Sequence, residues 1–117
     1  MKRLEITRRL FDAEITAQVL NLDEGLHVSV FGGTRSHIGA VSVVSPTGLV
    51  ETTQFPGHKD GVVSVQWAET LSKNGYCPCV VEVGIHYDNL DRQKIDMVVS
   101  VSEEMLNTIL TALSSTF

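Results

Sequence analysis

A two-residue alternation of apolar and polar side chains runs through residues 3–54 and limits the folds open to this chain. Leu26, Val28 and Val30 alternate with more polar neighbours, and residues 3–10 and 13–21 are rich in Thr, Ile and Val. Such a period places alternate side chains on opposite faces of a strand. The pattern predicts about five strands in an antiparallel meander: residues 3–10, 13–21, 26–31, 41–43 and 49–54.

Short turn signals separate these predicted strands. Asp23-Glu24-Gly25 and Pro46-Thr47-Gly48 have the composition of tight turns, and Phe11-Asp12 lies between the first two strands. Connections this short join neighbouring antiparallel strands, which favours a sheet built from hairpins.

The second half of the chain changes to helical spacing. Apolar residues over 62–71 recur near a helix period, Asp60 is a candidate N-cap, and Asn74-Gly75 ends the element. Residues 79–83 form a short apolar run that predicts a buried sixth strand.

The C-terminal segment fits two periods. Ile95, Met97 and Val99 fit one face of a strand, whereas the apolar spacing over 91–115 favours a helix, with a possible break at residues 100–102. Ser100 and Glu103 have capping-box spacing, which indicates a helix start there. We favour the helix. The predicted class is α+β: an antiparallel sheet of about six strands with helices on one side.

Length and charge narrow the classes of protein. The 117 residues, 43% of them hydrophobic, predict a single domain over residues 1–117. The formal net charge of −5 argues against nonspecific nucleic-acid binding, which needs a basic surface. No apolar run is long enough to span a bilayer, and residues 1–10 lack the apolar stretch of a signal peptide. We therefore expect a soluble, cytoplasmic protein.

Two cysteines stand in the sequence Cys77-Pro78-Cys79. A closed zinc site would need two further ligands, and a thioredoxin-type motif needs two intervening residues, so neither pattern is met. We expect both cysteines to be small buried hydrophobic residues.

Three loops at predicted strand ends concentrate glycine, histidine and charge. They are Gly32-Gly33-Thr34-Arg35-Ser36-His37-Ile38-Gly39, then Pro56-Gly57-His58-Lys59-Asp60, then Gly84-Ile85-His86-Tyr87-Asp88-Asn89. Binding residues are often found on loops that a rigid scaffold positions. Each loop also has a plainer interpretation: a long hairpin loop, a Pro-Gly turn with a helix cap, and Asp88-Asn89 as a cap for the C-terminal segment.

The histidines permit one further alternative. His37, His58 and His86 would suffice as three ligands of a catalytic zinc, although the chain lacks an HExxH motif, while His27 lies in a strand and is expected to be structural. No nucleophile elbow or cysteine nucleophile motif is present, so no reaction can be assigned from motifs.

Taken together, the three loops resemble the small prenylated-flavin chaperone family. The resemblance covers residues 25–110, with the loops in the same order and spacing. Members of that family accompany gallate-type decarboxylases that use prenylated FMN, and are known as D subunits of those enzymes. The family pattern often has Pro before the first loop histidine, where this chain has Ser36.

The resemblance implies a fold like that of the small proteasome-assembly chaperones, often dimeric. It implies a protein that binds prenylated FMN and helps to deliver it to a decarboxylase, rather than the decarboxylase itself. It places these residues at the matching loop positions: Gly32, Gly33, Arg35, His37, His58 and His86.

The chemistry of a flavin suggests roles for these loops. Backbone amides at Gly32-Gly33 or Gly57-His58 are candidates to bind the phosphate, with Arg35 or Lys59 to neutralise it. The candidates for hydrogen bonds to the ring edge are His37, His86 and Asn89, and those for ring stacking are Phe31, Phe55 and Tyr87. Two alternatives remain: a dimeric assembly scaffold without a cofactor, and a small metal enzyme that uses the histidines.

Overall fold

Six strands and two helices make up the protein, as seen in a computed structural model that describes residues 1–56 and 60–115. The strands are β1 (Lys2–Leu10), β2 (Ala13–Leu22), β3 (Gly25–Gly33), β4 (Ala40–Val44), β5 (Val50–Gln54) and β6 (Cys79–His86). The helices are α1 (Gly61–Lys73) and α2 (Arg92–Ser114). The predicted α+β class with six strands is confirmed, and every predicted strand is present.

The strands form one sheet in the order β1-β2-β3-β6-β4-β5. The meander prediction is correct for β1 to β3 and for the β4–β5 pair, but wrong between β3 and β4, because β6 lies between them. β6 pairs antiparallel with β4 and parallel with β3, so the sheet is antiparallel except for this one pair. Parallel neighbours need a crossover connection, and here β4, β5 and α1 supply it.

The hydrophobic core lies between one face of the sheet and the two helices. Alternate residues of the central strands, such as Val28 on β3 and Val81 on β6, are fully buried there and pack with Trp67 of α1 and Ile109 of α2. This arrangement is the two-layer packing that a one-sided apolar sheet requires.

The opposite face of the sheet, which we call the open face, is not covered by the helices. It carries cross-strand polar pairs, among them Glu5 with Gln18 and His27 with Glu82. It also carries exposed apolar side chains such as Leu22 and Val43.

The helix starts differ from the sequence prediction in two respects. α2 is one continuous helix whose N-cap is Asp91, so the predicted start at Ser100 and the predicted cap at Asp88-Asn89 are wrong. The Asp91 side chain accepts a hydrogen bond from the Lys94 amide at 2.8 Å, which satisfies one of the free amides of the first turn. Asp60 does stand at the N-cap position of α1, but its side chain makes no capping hydrogen bond.

The connectivity brings the chemically interesting segments to one end of the sheet. β3 and β6 both finish there, β4 begins there, and α1 and α2 start there. We call this the loop end, and we call the opposite end, with the turns at residues 23–24, 45–49 and 74–78, the turn end. Within the described residues, no helix is long and apolar enough to cross a membrane.

Candidate functional site

Two of the three predicted loops meet at the loop end. The imidazole rings of His37 and His86 lie with their centroids 6.2 Å apart and their planes at 74°. The loop that precedes α1 contributes Asp60, whose carboxylate contacts both of the other loops. The remaining predicted residues of that loop, Gly57, His58 and Lys59, lie outside the described residues.

Asp60 joins the three segments through one buried carboxylate. Its Oδ2 lies 3.0 Å from Nε2 of His37, and its Oδ1 accepts a hydrogen bond of 3.0 Å from the backbone amide of Ile85. The carboxylate also stands at the start of α1, where the helix dipole favours negative charge. Asp60 therefore fixes the His37 ring relative to the end of β6.

His86 belongs to a second and more exposed histidine–carboxylate pair. Its Nε2 lies 3.0 Å from Oδ1 of Asp88, whose side chain is 71% exposed. The His86 carbonyl accepts hydrogen bonds from the backbone amide and the hydroxyl of Thr34, at 2.7 and 3.2 Å. The backbone around His86 is thus held by the first loop, while its ring faces solvent beside Asp88.

Glycine permits the close approach of these loops. A Cβ on Gly84 would overlap the carbonyl oxygen of His37, and a Cβ on Gly33 would overlap that of His86. Gly32 and Gly33 are the last residues of β3, opposite Ile85 and His86 of β6. Their glycine requirement is therefore explained by chain packing, but the plainer interpretation of this segment as a hairpin loop is wrong, because β6 lies between β3 and β4.

The other predicted binding residues are distributed around this cluster. Arg35 and Asn89 are exposed, and Arg35 makes no salt bridge with another described residue. Phe55 is exposed and Phe31 is half-buried. Tyr87 is buried, and its hydroxyl donates to the Leu10 carbonyl at 2.9 Å, so its ring is part of the core.

This arrangement offers polar recognition of a ligand. Two imidazoles can each donate or accept a hydrogen bond, and the neighbouring carboxylates hold them in place. Among residues 1–56 and 60–115, no group of three His, Cys, Asp or Glu side chains could hold a metal ion. His58, the third histidine of the zinc alternative, is not among these residues. His27 lies elsewhere, on the open face beside Glu82.

Sequence reasoning missed the role of Asp60. The sequence predicts a helix cap at this residue, because an Asp before a helical pattern is typical of that position. The sequence signal for the bridging role of Asp60 is its position at the end of a loop that contains glycine and histidine.

The two cysteines have different environments. Cys79 is buried in the core, and this burial raises the pKa of its thiol from 9.0 to about 12. Cys77 is half-buried, with its sulfur 3.7 Å from the Pro46 carbonyl oxygen. The prediction of full burial holds for Cys79 and not for Cys77.

Comparisons with known proteins agree with this fold and loop pattern. Residues 10–114 match the family model described as the prenylated flavin chaperone LpdD-like domain. Protein LpdD of Lactiplantibacillus plantarum is 26% identical over 110 residues, which cover 90% of this chain and 79% of that protein.

A solved structure shows the same architecture. The crystal structure of a chaperone complex for yeast 20S proteasome assembly contains a chain that aligns with a TM-score of 0.58 and 15% identity. The alignment covers 95% of this chain and 98% of that one. The resemblance to proteasome-assembly chaperones is therefore confirmed for the fold.

Proposed function

The chain belongs to the prenylated flavin chaperone LpdD-like family, and on that premise we propose that it binds prenylated FMN at the loop end. We propose that it acts in the cytoplasm as an accessory protein, which helps a prenylated-flavin-dependent decarboxylase to mature and does not itself catalyse decarboxylation. The observation that carries this proposal is the convergence of His37, Asp60 and His86 within a family defined by a flavin.

The polar edge of the flavin ring suits the histidine pair. A flavin ring presents carbonyl oxygens and unprotonated ring nitrogens, which accept hydrogen bonds from imidazole N–H groups, and a ring N–H, which donates to an imidazole nitrogen. His37 is fixed by Asp60, whereas His86 has an exposed partner and can adjust to the ligand. Exposed Asn89 follows His86 by three residues and adds a further amide.

The phosphate needs positive charge and amide donors. Arg35 is exposed and lies two residues before His37 in the sequence, and Lys59 directly precedes Asp60. We assign both to charge neutralisation, together with the amides of Gly57 and His58. The amides of Gly32 and Gly33 were the other candidates, but these residues lie in a paired strand and are the weaker choice.

A binding titration tests the cofactor part of the proposal. Prenylated FMN and FMN are titrated into the purified protein and binding is measured by calorimetry. We expect His37→Ala and His86→Ala each to weaken binding of prenylated FMN about tenfold, the effect of losing one good hydrogen bond. His27→Ala is the matched control, because this histidine also pairs with a carboxylate but lies on the open face. Absence of binding by the unaltered protein would refute the proposal.

A reconstitution assay tests the delivery part. An apo-decarboxylase of the prenylated-flavin class is mixed with prenylated FMN, with and without this protein. We expect the protein to accelerate the appearance of decarboxylase activity and to show no such activity alone. If His37→Ala and Arg35→Ala fully retain the acceleration, the assembly-scaffold alternative without a cofactor is favoured instead.

We also propose that the protein is a homodimer that pairs through the open face. That face is not covered by the helices, and it exposes Leu22 and Val43. Symmetric pairing is a common way to cover such a surface. Light scattering at tens of micromolar protein should give the dimer mass, and Val43→Asp should give the monomer mass. Leu49→Asp is the control, since Leu49 is exposed in a turn. A monomer mass for the unaltered protein would contradict the proposal.

A further inference from the structure

An apolar groove opens beside the histidine cluster, on the helix side of the sheet. It has a volume of about 240 Å³ and lies between the first turns of α1 and α2 and the end of β6. Seven of its eight lining residues are aliphatic: Val62, Val63, Ile85, Leu90, Ile95, Val98 and Val99. The eighth is Asp60.

The walls of this groove leave large aliphatic side chains in water. Val62 on α1 is 66% exposed and Ile95 on α2 is 42% exposed. A single exposed aliphatic residue is normal on a protein surface. A cluster of them that lines a concavity is typical of a ligand-binding site.

The groove is continuous with the polar cluster through two residues. Asp60 lines the groove, and its carboxylate contacts His37. Ile85 also lines the groove, and its backbone amide bonds to the Asp60 carboxylate. A ligand that spans this junction would therefore meet aliphatic side chains at one end and the His37 imidazole at the other.

The size of the groove limits what fits inside it. A cavity of about 150 Å³ holds a benzene molecule, whereas whole drug-sized ligands occupy pockets of roughly 300–1,000 Å³. At about 240 Å³, the groove is suited to a ring-sized hydrocarbon fragment and is too small for an entire flavin.

We propose that this groove binds the isoprenoid-derived part of prenylated FMN, and so lets the protein distinguish the prenylated flavin from FMN. This inference rests on the proposed function, and it deepens it by assigning the apolar end of the ligand chiefly to residues of α1 and α2. The flavin ring then lies across Asp60 toward His37. Selectivity arises because the isoprenoid-derived part gives the prenylated form additional apolar surface, which the groove removes from water.

Substitution at the groove wall, with both flavins as probes, tests the inference. Ile95→Ser removes apolar surface from the groove, and Met97→Ser is the matched control, since Met97 lies on the same helix with the same exposure of 42% and does not line the groove. Val62→Ser repeats the test from α1, in case one variant folds poorly. Circular dichroism checks the fold of each variant.

We expect Ile95→Ser and Val62→Ser to weaken binding of prenylated FMN about tenfold and to change FMN binding less than about twofold. Met97→Ser should change neither. Equal binding of both flavins by the unaltered protein, or equal loss of both in the groove variants, would overturn this inference and leave the proposed function intact. Failure of the unaltered protein to bind either flavin would instead overturn the proposed function, and this inference with it.

Discussion

The two ends of the sheet are held together in different ways. At the turn end, each turn is closed by hydrogen bonds between residues close in sequence, such as Gly48 to the Ser45 carbonyl and Gly75 to the Ser72 carbonyl, and the Leu26 amide also donates to the Pro78 carbonyl. At the loop end they join distant residues: His37 with Asp60, and Asp60 with Ile85. At the turn end, short-range hydrogen bonds close each turn. At the loop end, contacts between different loops, through the Asp60 carboxylate, hold the loops in position.

This difference favours the loop end as the place for a site. Side chains from three separate segments must be held in fixed relation for a ligand to be recognised. The loop end provides this through the carboxylate of Asp60. The turns at the other end are linked by the Leu26 amide to the Pro78 carbonyl and by the Cys77 sulfur to the Pro46 carbonyl, and neither link is a carboxylate shared by three segments.

We expect the largest difference in unfolding free energy between the two ends when a carboxylate is removed at each. Asp60→Ala removes two hydrogen bonds and leaves the Ile85 amide unsatisfied, so we expect the free energy of unfolding to fall by about 3 kcal/mol. Asp23→Ala is the control at the turn end, where the side chain is 99% exposed, and its effect should stay within about 0.5 kcal/mol. Urea unfolding followed by fluorescence of Trp67, the one tryptophan in the sequence, measures both. Similar losses of unfolding free energy in Asp60→Ala and Asp23→Ala would contradict the difference between the two ends.

A pair of glycine substitutions compares the two ends again. One tests tight packing at the loop end, and the other tests backbone strain at the turn end. Gly84→Ala forces a methyl group against the His37 carbonyl at the loop end, and we expect a loss of about 2 kcal/mol. Gly75→Ala at the turn end meets no neighbouring atom but stands at φ +89°, which costs about 1 kcal/mol. The same urea unfolding measurement gives both values. If Gly75→Ala were the more damaging change, tight packing at the loop end would be disproved.

The smallest effect concerns alkaline pH and the buried thiol near the turn end. Burial raises the pKa of Cys79 from 9.0 to about 12, so the thiol ionises in the unfolded chain before it ionises in the folded one. Its contribution to stability is complete below pH 9 and is lost as pH rises toward 12, and this loss reaches about 1 kcal/mol at pH 10. Burial also raises the pKa of Tyr87, which adds to the alkaline loss.

Variants isolate the thiol from the tyrosine. Cys79→Ala should reduce the decline of unfolding free energy between pH 8 and pH 10, whereas Cys77→Ala should retain it. Chemical denaturation at each pH measures the decline. An unchanged decline in Cys79→Ala would show that the buried thiol does not contribute.

Strands and helices were predictable because their residue patterns are local. The alternation over residues 26–31 and the helical spacing over 62–71 each report how one segment meets the core. The place of β6 between β3 and β4 was not predictable, because a two-residue period shows which face is buried and not which strand is the neighbour. For the same reason the parallel pair was missed.

The site was predictable in part. The glycine and histidine content of the loops located His37 and His86, which do lie close together. The sequence predicts a helix cap at Asp60 and nothing more. Only the folded chain shows that its carboxylate reaches His37 and Ile85 instead of the helix amides. The groove was also missed, because its walls come from α1, α2 and β6, and their approach depends on the tertiary fold.

The central claim is that the loop end is where the flavin binds, and mapping by nuclear magnetic resonance tests it most directly. Prenylated FMN is added to ¹⁵N-labelled protein, and changes in the amide signals are followed. We predict that the changes concentrate on Thr34, His37, Asp60, Ile85 and His86, while amides at the turn end, such as those of Glu24 and Gly75, stay unchanged. Changes centred on the open face or the turn end, or no changes at saturating flavin, would contradict the account.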